Sequence, residues 1–246
     1  MKRQHTTSST LGEYKRKRRF DVTPEPPPKA ARTVARSKAL QFVVQKHRAS
    51  RLHYDFRLEW NGVLLSWAVP KGPSLDPSVK RLAMAVEDHP LDYASFEGVI
   101  PAGQYGGGTV MVWDRGTWKS EDADVGDALR RGRLKFELKG KKLKGTWVLV
   151  RTRGSDSRSW LLMKHRDDAA STEDVVVERP KSVLSDRLMA EIAFDEGGEV
   201  EKAADADPEE AIRALMRRRG TRTRVPKAHP KIWQSNRGGA DRRASS

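Results

Sequence analysis

Apolar and polar positions alternate strictly through the middle of the chain. Over Arg51-Leu-His-Tyr-Asp-Phe-Arg-Leu-Glu59, Leu52, Tyr54, Phe56 and Leu58 share one side, and His53, Asp55, Arg57 and Glu59 share the other. A period of two is that of a strand with one buried face. Asn61-Gly62 follows, a dipeptide that favours a two-residue hairpin turn because both positions tolerate positive φ. Val63–Val69 is then the return strand. Such a turn pairs Trp60 with Val63, and sets His53 opposite Pro70, Asp55 opposite Ala68 and Arg57 opposite Ser66. Leu65, Trp67 and Val69 join the apolar face. Further strands are expected over 82–87, 109–113, 133–139, 143–151 and 159–164. Gly106-Gly107-Gly108, Arg115-Gly116 and Lys139-Gly140-Lys141 read as turns between them. Short strands at this spacing predict an antiparallel barrel or sandwich.

The flanks read differently. Residues 1–36 hold the basic run Lys15-Arg16-Lys17-Arg18-Arg19 and a cluster of prolines, Pro24 and Pro26-Pro27-Pro28, so this arm is expected to be extended or disordered alone. Residues 37–190 form the folded domain with its trailing segment. Residues 191–246 read as an acidic linker, a short helix over 208–219 and a basic tail. One more helix is expected near 185–192. Asp207 reads as the cap of the 208–219 helix, with Pro208 at its first position and Gly220 as its stop.

Charge sharpens this division. The chain of 246 residues carries 48 Lys+Arg against 33 Asp+Glu, a formal net charge of +15. The net is +7 over 1–36, +9 over 37–166, −11 over 167–210 and +10 over 211–246. An excess of this size favours a polyanionic partner, nucleic acid being the commonest. Cysteine is absent, which excludes disulfide frameworks and thiolate metal sites. No stretch approaches the roughly 18 apolar residues of a membrane span, and polar Ser and Thr follow the basic N-terminus where a signal peptide needs an apolar run. The expectation is a cytoplasmic, nucleoid-associated protein without membrane contact.

The candidate chemistry lies on the polar side of the hairpin. His53 and Asp55, two apart on one strand, project together, and His47 is six residues earlier across the polar loop Arg48-Ala49-Ser50, which is expected to fold it over the same face. Two imidazoles and one carboxylate with open positions suit Mn²⁺, Fe²⁺ or Zn²⁺, and three protein ligands point to catalysis rather than structure. Alone, a His-x-Asp is common, and a lone strand histidine is usually only a satisfied polar group. Arg57 on the same face adds a cation beside the metal, as an anionic substrate requires. Lys71, Arg81 and His89 complete such a clamp. The glycine-rich stretch Gly98-Val-Ile-Pro-Ala-Gly-Gln-Tyr-Gly-Gly-Gly108 lacks the Lys-Ser/Thr ending of a phosphate loop and a following helix, so it reads as structural turns.

Several ordered blocks, Phe42-Val-Val-Gln-Lys-His47, Arg51-Leu-His-Tyr-Asp-Phe-Arg-Leu-Glu59, Trp67-Ala-Val-Pro-Lys-Gly72, Glu97-Gly-Val-Ile-Pro-Ala-Gly-Gln-Tyr-Gly106, Val112-Trp-Asp-Arg-Gly-Thr-Trp118 and Trp160-Leu-Leu-Met-Lys164, resemble the 3′-phosphoesterase domain of bacterial DNA ligase D. The resemblance covers roughly residues 11–190. It implies a mainly β fold: an eight-stranded antiparallel β-barrel with a surface active-site groove, short helices and, here, disordered basic tails. It implies metal-dependent removal of a terminal 3′ ribonucleoside and then of the 3′ phosphate, leaving a 3′ hydroxyl. Manganese is the implied metal, with Zn²⁺ or Co²⁺ as alternatives. By motif, His47, His53 and Asp55 bind the metal. Arg57, His89, Tyr93, Lys71 and Arg81 act at the phosphate. Gln45, Glu87, Arg18 and Glu25 contact substrate. DNA or DNA/RNA 3′ ends are the implied partners, with Ku or a separate DNA ligase or polymerase beside them. Neither a Lys-x-Asp-Gly ligase motif nor room for a polymerase module is present, which suggests a stand-alone form. One departure stands out: Arg19 precedes Phe20 where the family commonly has an acid, which bears on ribonucleoside removal.

The competing reading is a catalytically inactive nucleic-acid-binding adaptor of a repair complex, but an adaptor needs no His47, His53, Asp55, Arg57 and His89 together. A sequence-specific regulator would need a helix-turn-helix or similar reader, which the chain lacks.

Overall fold

The structure, a computed structural model, describes residues 11–28, 39–154 and 156–219. One sheet holds nine strands: β1 (Leu40–Arg48), β2 (Leu52–Trp60), β3 (Val63–Val69), β4 (Arg81–Pro90), β5 (Gly98–Ile100), β6 (Gly108–Ser120), β7 (Arg133–Gly140), β8 (Lys144–Arg151) and β9 (Ser159–Lys164). Neighbours run β1-β2-β3-β4-β9-β8-β7-β6, and β6 pairs back onto β1, so eight antiparallel strands close a barrel. Closure leaves no edge strand within the ring. The short β5 adds to β6 outside the ring.

The β2–β3 hairpin has the register that its turn demands. Asn61 and Gly62 adopt φ of 48° and 79°, Trp60 faces Val63, Asp55 faces Ala68 and Arg57 faces Ser66. Phe56, Leu58 and Val69 are completely buried inside, together with Trp113 and Trp147. Emptying one such site, as in Phe56→Ala, costs about 3–5 kcal/mol. Each expected strand is present, and β4 and β6 run longer than expected.

Arg115-Gly116 is not a turn. β6 passes straight through it, and Gly116 pairs with Gly140 of β7. A side chain at either glycine would strike the neighbouring strand: at Gly140 a Cβ would lie 2.6 Å from the Phe42 ring and 2.6 Å from the Asp114 carboxylate. Glycine serves close backbone approach here, which a sequence does not distinguish from turn formation.

The described part of the N-terminal arm is folded. Helix α1 (Gly12–Arg16) lies against β4, and Tyr14 is completely buried with its hydroxyl donating to the Pro26 carbonyl at 2.8 Å. A second apolar cluster, on the outside of the barrel, explains this: Leu11 and Tyr14 pack there with Val43, Val63, Leu64 and Tyr93. The prolines shape a return path instead of an extended arm.

Behind the barrel come α2 (Val125–Arg131), inserted between β6 and β7, then α3 (Val175–Glu178), α4 (Met189–Asp195), α5 (Val200–Ala204) and α6 (Glu209–Arg219). Ile192, Ala193 and Ala203 are buried in the same cluster as the barrel interior. Asp207 does not act as the expected cap of the helix after it. Its two oxygens accept from the backbone N–H groups of Met189 and Ala190, at 3.3 and 2.9 Å, so it caps α4. That capture also sets the start of α4 four residues later than expected.

Candidate metal and phosphate site

The polar face of β2 opens on the outer surface of the barrel, and β1 supplies its neighbour. β1 pairs antiparallel with β2, so that His47 sits directly opposite His53 and Gln45 opposite Asp55. The chain turns back between Arg48 and Leu52, as expected of the polar loop, and the resulting β1–β2 hairpin brings His47 to the site. Directly opposed side chains share one face. The two imidazole centres lie 4.8 Å apart. His47 Nδ1 is 3.6 Å and His53 Nε2 is 3.7 Å from Asp55 Oδ2. All three potential ligand atoms fall within 4.8 Å of one another.

The outer nitrogens are already committed. His47 Nε2 lies 2.8 Å from the Gly106 carbonyl, and His53 Nδ1 lies 3.1 Å from the Arg51 carbonyl. A carbonyl only accepts, so these nitrogens carry the protons and donate. In neutral rings that leaves His47 Nδ1 and His53 Nε2 as lone pairs, both facing a carboxylate oxygen. Three electron-pair donors facing one another repel unless a cation lies between them, and metal-bound imidazoles are oriented by this kind of outer hydrogen bond. The donor set therefore fits a divalent ion. Burial lowers the His53 pKa, which further favours the neutral, ligating form. At Asp55 burial pushes the carboxyl up, but the Arg57 guanidinium beside it outweighs this and holds it well below the usual carboxylate range.

Arg57, almost fully buried, links this trio to the next group. It donates from Nε to Gln45 Oε1 at 2.9 Å and from Nη1 to Ser66 Oγ at 2.7 Å, and its Nη2 pairs with Asp55 Oδ2 at 3.1 Å. Nη1 also lies 2.9 Å from His89 Nδ1. Arg18 reaches the other ring nitrogen, Nη2 to His89 Nε2 at 3.2 Å. Burial, then Arg57, then Arg18, push the His89 pKa well below its ordinary value, so this ring is neutral. Its Nδ1 is also 2.8 Å from the Glu87 carbonyl, to which it donates, leaving Nε2 to accept from Arg18.

The arm closes one side. Arg18 pairs with Glu25 at 2.7 Å and Glu87 at 3.2 Å, and Glu25 also accepts from the Tyr93 hydroxyl at 3.0 Å. Tyr93 is held on the 3₁₀ turn Leu91–Ser95, with its ring centre 4.8 Å from that of His89. Burial, then Glu25, raise the Tyr93 pKa well above its ordinary value, so the hydroxyl keeps its proton. Gln45 is fully buried and donates to the carbonyls of Tyr93 and Phe96, at 3.1 and 2.8 Å, which places it beneath the site as a support for Arg57.

Ten of the twelve expected residues are thus joined by hydrogen bonds, ion pairs and ring contacts, and Lys71 and Arg81 make no such link among the described residues. Lys71 is exposed just beyond β3 and makes no hydrogen bond or ion pair among the described residues. Arg81 begins β4, two residues before the interior Ala83, and its Nε is buried with no partner among the described residues. Arg19 is exposed and pairs with Asp21 at 3.1 Å. Two clefts, of about 580 and 410 Å³, open elsewhere, one along 178–186 and one between β5 and α5; none of the site residues lines either.

Sequence reasoning missed three participants. Ser66 fills the space opposite Arg57 and accepts from it. Lys17 donates to Glu87 at 3.1 Å and to the Tyr105 hydroxyl at 3.3 Å. Gly106 orients His47 through its carbonyl. The first was visible as the only hydroxyl across from Arg57; the others depend on loops that meet only in the folded chain.

Fold and site together define a closed antiparallel barrel with a two-histidine, one-carboxylate donor set on its outer face and buried arginines beside it. Residues 45–151 match the model of the DNA ligase D 3′-phosphoesterase domain, and this stretch of the chain belongs to that family. The chain is 56% identical over 188 residues to the multifunctional non-homologous end joining protein LigD of Pseudomonas aeruginosa, covering 74% of this chain and 22% of that protein. It is 44% identical over 157 residues to the multifunctional non-homologous end joining DNA repair protein LigD of Mycobacterium tuberculosis, covering 64% of this chain and 20% of that protein. The chain thus spans about a fifth of the length of these curated relatives.

Proposed function

We propose that the chain is a metal-dependent phosphoesterase that heals nucleic-acid 3′ ends. It removes a terminal 3′ ribonucleoside, the 3′ phosphate, or both, and leaves a 3′ hydroxyl that can be extended or sealed. The observation that carries this reading is the convergence of His47 Nδ1, His53 Nε2 and Asp55 Oδ2 with both outer nitrogens engaged by carbonyls, next to Arg57. His47, His53 and Asp55 would hold the ion, with Mn²⁺ the first candidate. Such an ion polarises a phosphoryl oxygen and makes water more acidic.

The remaining roles belong to the chain's own groups. Arg57, fixed by Gln45 and Ser66, presents a rigid positive fork to the phosphate and has no freedom to lose on binding. Neutral His89 is held between two guanidinium groups, and a phosphate arriving among them supplies the negative charge that raises its proton affinity. His89 can then take up a proton from solvent at Nε2, giving up the Arg18 hydrogen bond, and pass it to the departing oxygen. Tyr93 offers its retained proton as a hydrogen bond. Similarity to proteins named for non-homologous end joining, together with the net charge, supports DNA ends as substrate and a place in break repair at the nucleoid, beside Ku or a separate ligase or polymerase.

The test uses a duplex whose primer strand ends in a 3′ phosphate or in a single ribonucleotide after a ribonucleotide, with Mn²⁺ or a chelator. Metal-dependent release by the wild-type chain and none by His53→Ala, with the barrel intact by circular dichroism, is the expected result. No release from either end, with salt-sensitive binding to both, favours the adaptor reading.

A further inference from the structure

Tyr105 is an aromatic side chain left 49% exposed at the rim of a phosphate-type site. Its place is fixed from two directions. The next residue, Gly106, gives its carbonyl to His47, so the loop is tied to the metal ligands. From the arm, Lys17 sits 4.7 Å over the ring centre and donates to the hydroxyl, and the Arg18 guanidinium lies 5.6 Å from the same centre. Lys17 and Arg18 also grip Glu87, and Arg18 reaches His89. The ring thus bridges the two halves of the site: its loop anchor touches His47, assigned to the metal, and its arm anchor reaches His89, assigned to the phosphate.

A half-exposed ring is unremarkable alone. A ring held by two cations that already border an anion site, and still half open, is a platform. The base of a nucleotide is a flat π-system joined to its phosphate by one sugar, and unpaired bases are gripped by stacking on aromatic rings, largely regardless of sequence. We infer that Tyr105 stacks the terminal nucleobase of the strand whose 3′ phosphate ester enters the site, while Lys17 holds the ring from the arm side. This rests on the phosphoesterase reading for the position of the phosphate, and it adds the recognition element: an unpaired or frayed terminal nucleotide, not the sequence of the duplex.

The experiment separates binding from chemistry. A primer strand carries 2-aminopurine, whose fluorescence is quenched on stacking, at its 3′-terminal nucleotide, next to the 3′ phosphate; a second primer is abasic at that nucleotide. With the full chain and Mn²⁺, the expected result is a quench on binding that Tyr105→Ala relieves and Tyr105→Phe retains. Turnover of the base-bearing end should fall ~5- to 150-fold in Tyr105→Ala, mainly through KM. The abasic end should be turned over equally by Tyr105→Ala and the wild type. A quench unaffected by Tyr105→Ala, or equal losses on both ends, overturns the inference. A Tyr105-dependent quench without turnover by the wild type upholds stacking and overturns the proposed reaction instead.

Discussion

Replacing Asp207 by Asn removes one charge and little volume from the end of the barrel interior. Lys46, between Gln45 and His47 on β1, is 1% exposed, and its ammonium lies 3.5 Å from Asp207 Oδ1. Both groups shift against ionisation: burial lowers Lys46 from its ordinary 10.5 and raises Asp207 from its ordinary 3.8, and their attraction offsets this only in part. The pair is therefore a burden together and a larger one when broken. Asp207→Asn leaves a buried ammonium without a counter-charge, which costs about 3–5 kcal/mol. For a chain of this size that is a fall in Tm of ~6–20 °C.

The pH dependence has a definite sign. With a folded pKa below its unfolded value, Lys46 binds its proton more tightly in the unfolded chain. Its penalty is fully present below the folded pKa and shrinks as pH rises toward 10.5. Losing Asp207 lowers the folded pKa further and widens that window. The deficit of Asp207→Asn is thus largest near pH 7 and smaller near pH 10. Lys46→Met with Asp207→Asn should recover most of the loss, because the buried charge goes. Urea denaturation followed by circular dichroism, at both pH values for the three variants, measures all of this. A deficit under about 1 kcal/mol, or a double variant no better than the single one, would refute the reasoning.

Other outcomes follow from the site. Mn²⁺ at about 100 times its Kd should stabilise the wild type by ~2.7 kcal/mol, and the gain should vanish in His53→Ala by thermal denaturation. Arg57→Lys keeps the charge but loses the fork onto Gln45, Ser66 and Asp55, so kcat should fall ~10²- to 10³-fold in steady-state assays; unchanged turnover would remove Arg57 from the mechanism. Because His89 has a depressed folded pKa, the unfolded chain takes up a proton first as pH falls through the ordinary value of 6.5. His89 should therefore lower wild-type stability by up to ~1.4 kcal/mol per pH unit below that point, a share of the slope that urea curves should show missing from His89→Asn.

The division of labour between sequence and tertiary structure can be followed residue by residue. Alternation and Asn61-Gly62 were enough to place Asp55 over Ala68 and Arg57 opposite Ser66, because a period of two and a two-residue turn leave one register. The same local rule put His53, Asp55 and Arg57 on one face. It was silent on how the barrel closes around them. His47 reached the site through the local β1–β2 hairpin, six residues from its partner His53, whereas the ring closed through β6 and β1, contacts between segments more than sixty residues apart. Arg115-Gly116 misled because a glycine that admits a neighbouring strand and one that turns a chain look alike in sequence. The arm misled because the apolar surface that captures Tyr14 exists only once Val43, Leu64 and Tyr93 have assembled. Asp207 capped α4 rather than its own helix because the barrel end that holds Lys46 brought those amides within its reach. Local geometry is encoded within a few residues and can be read from them; long-range burial and the partners of buried charges depend on the packing of the whole chain.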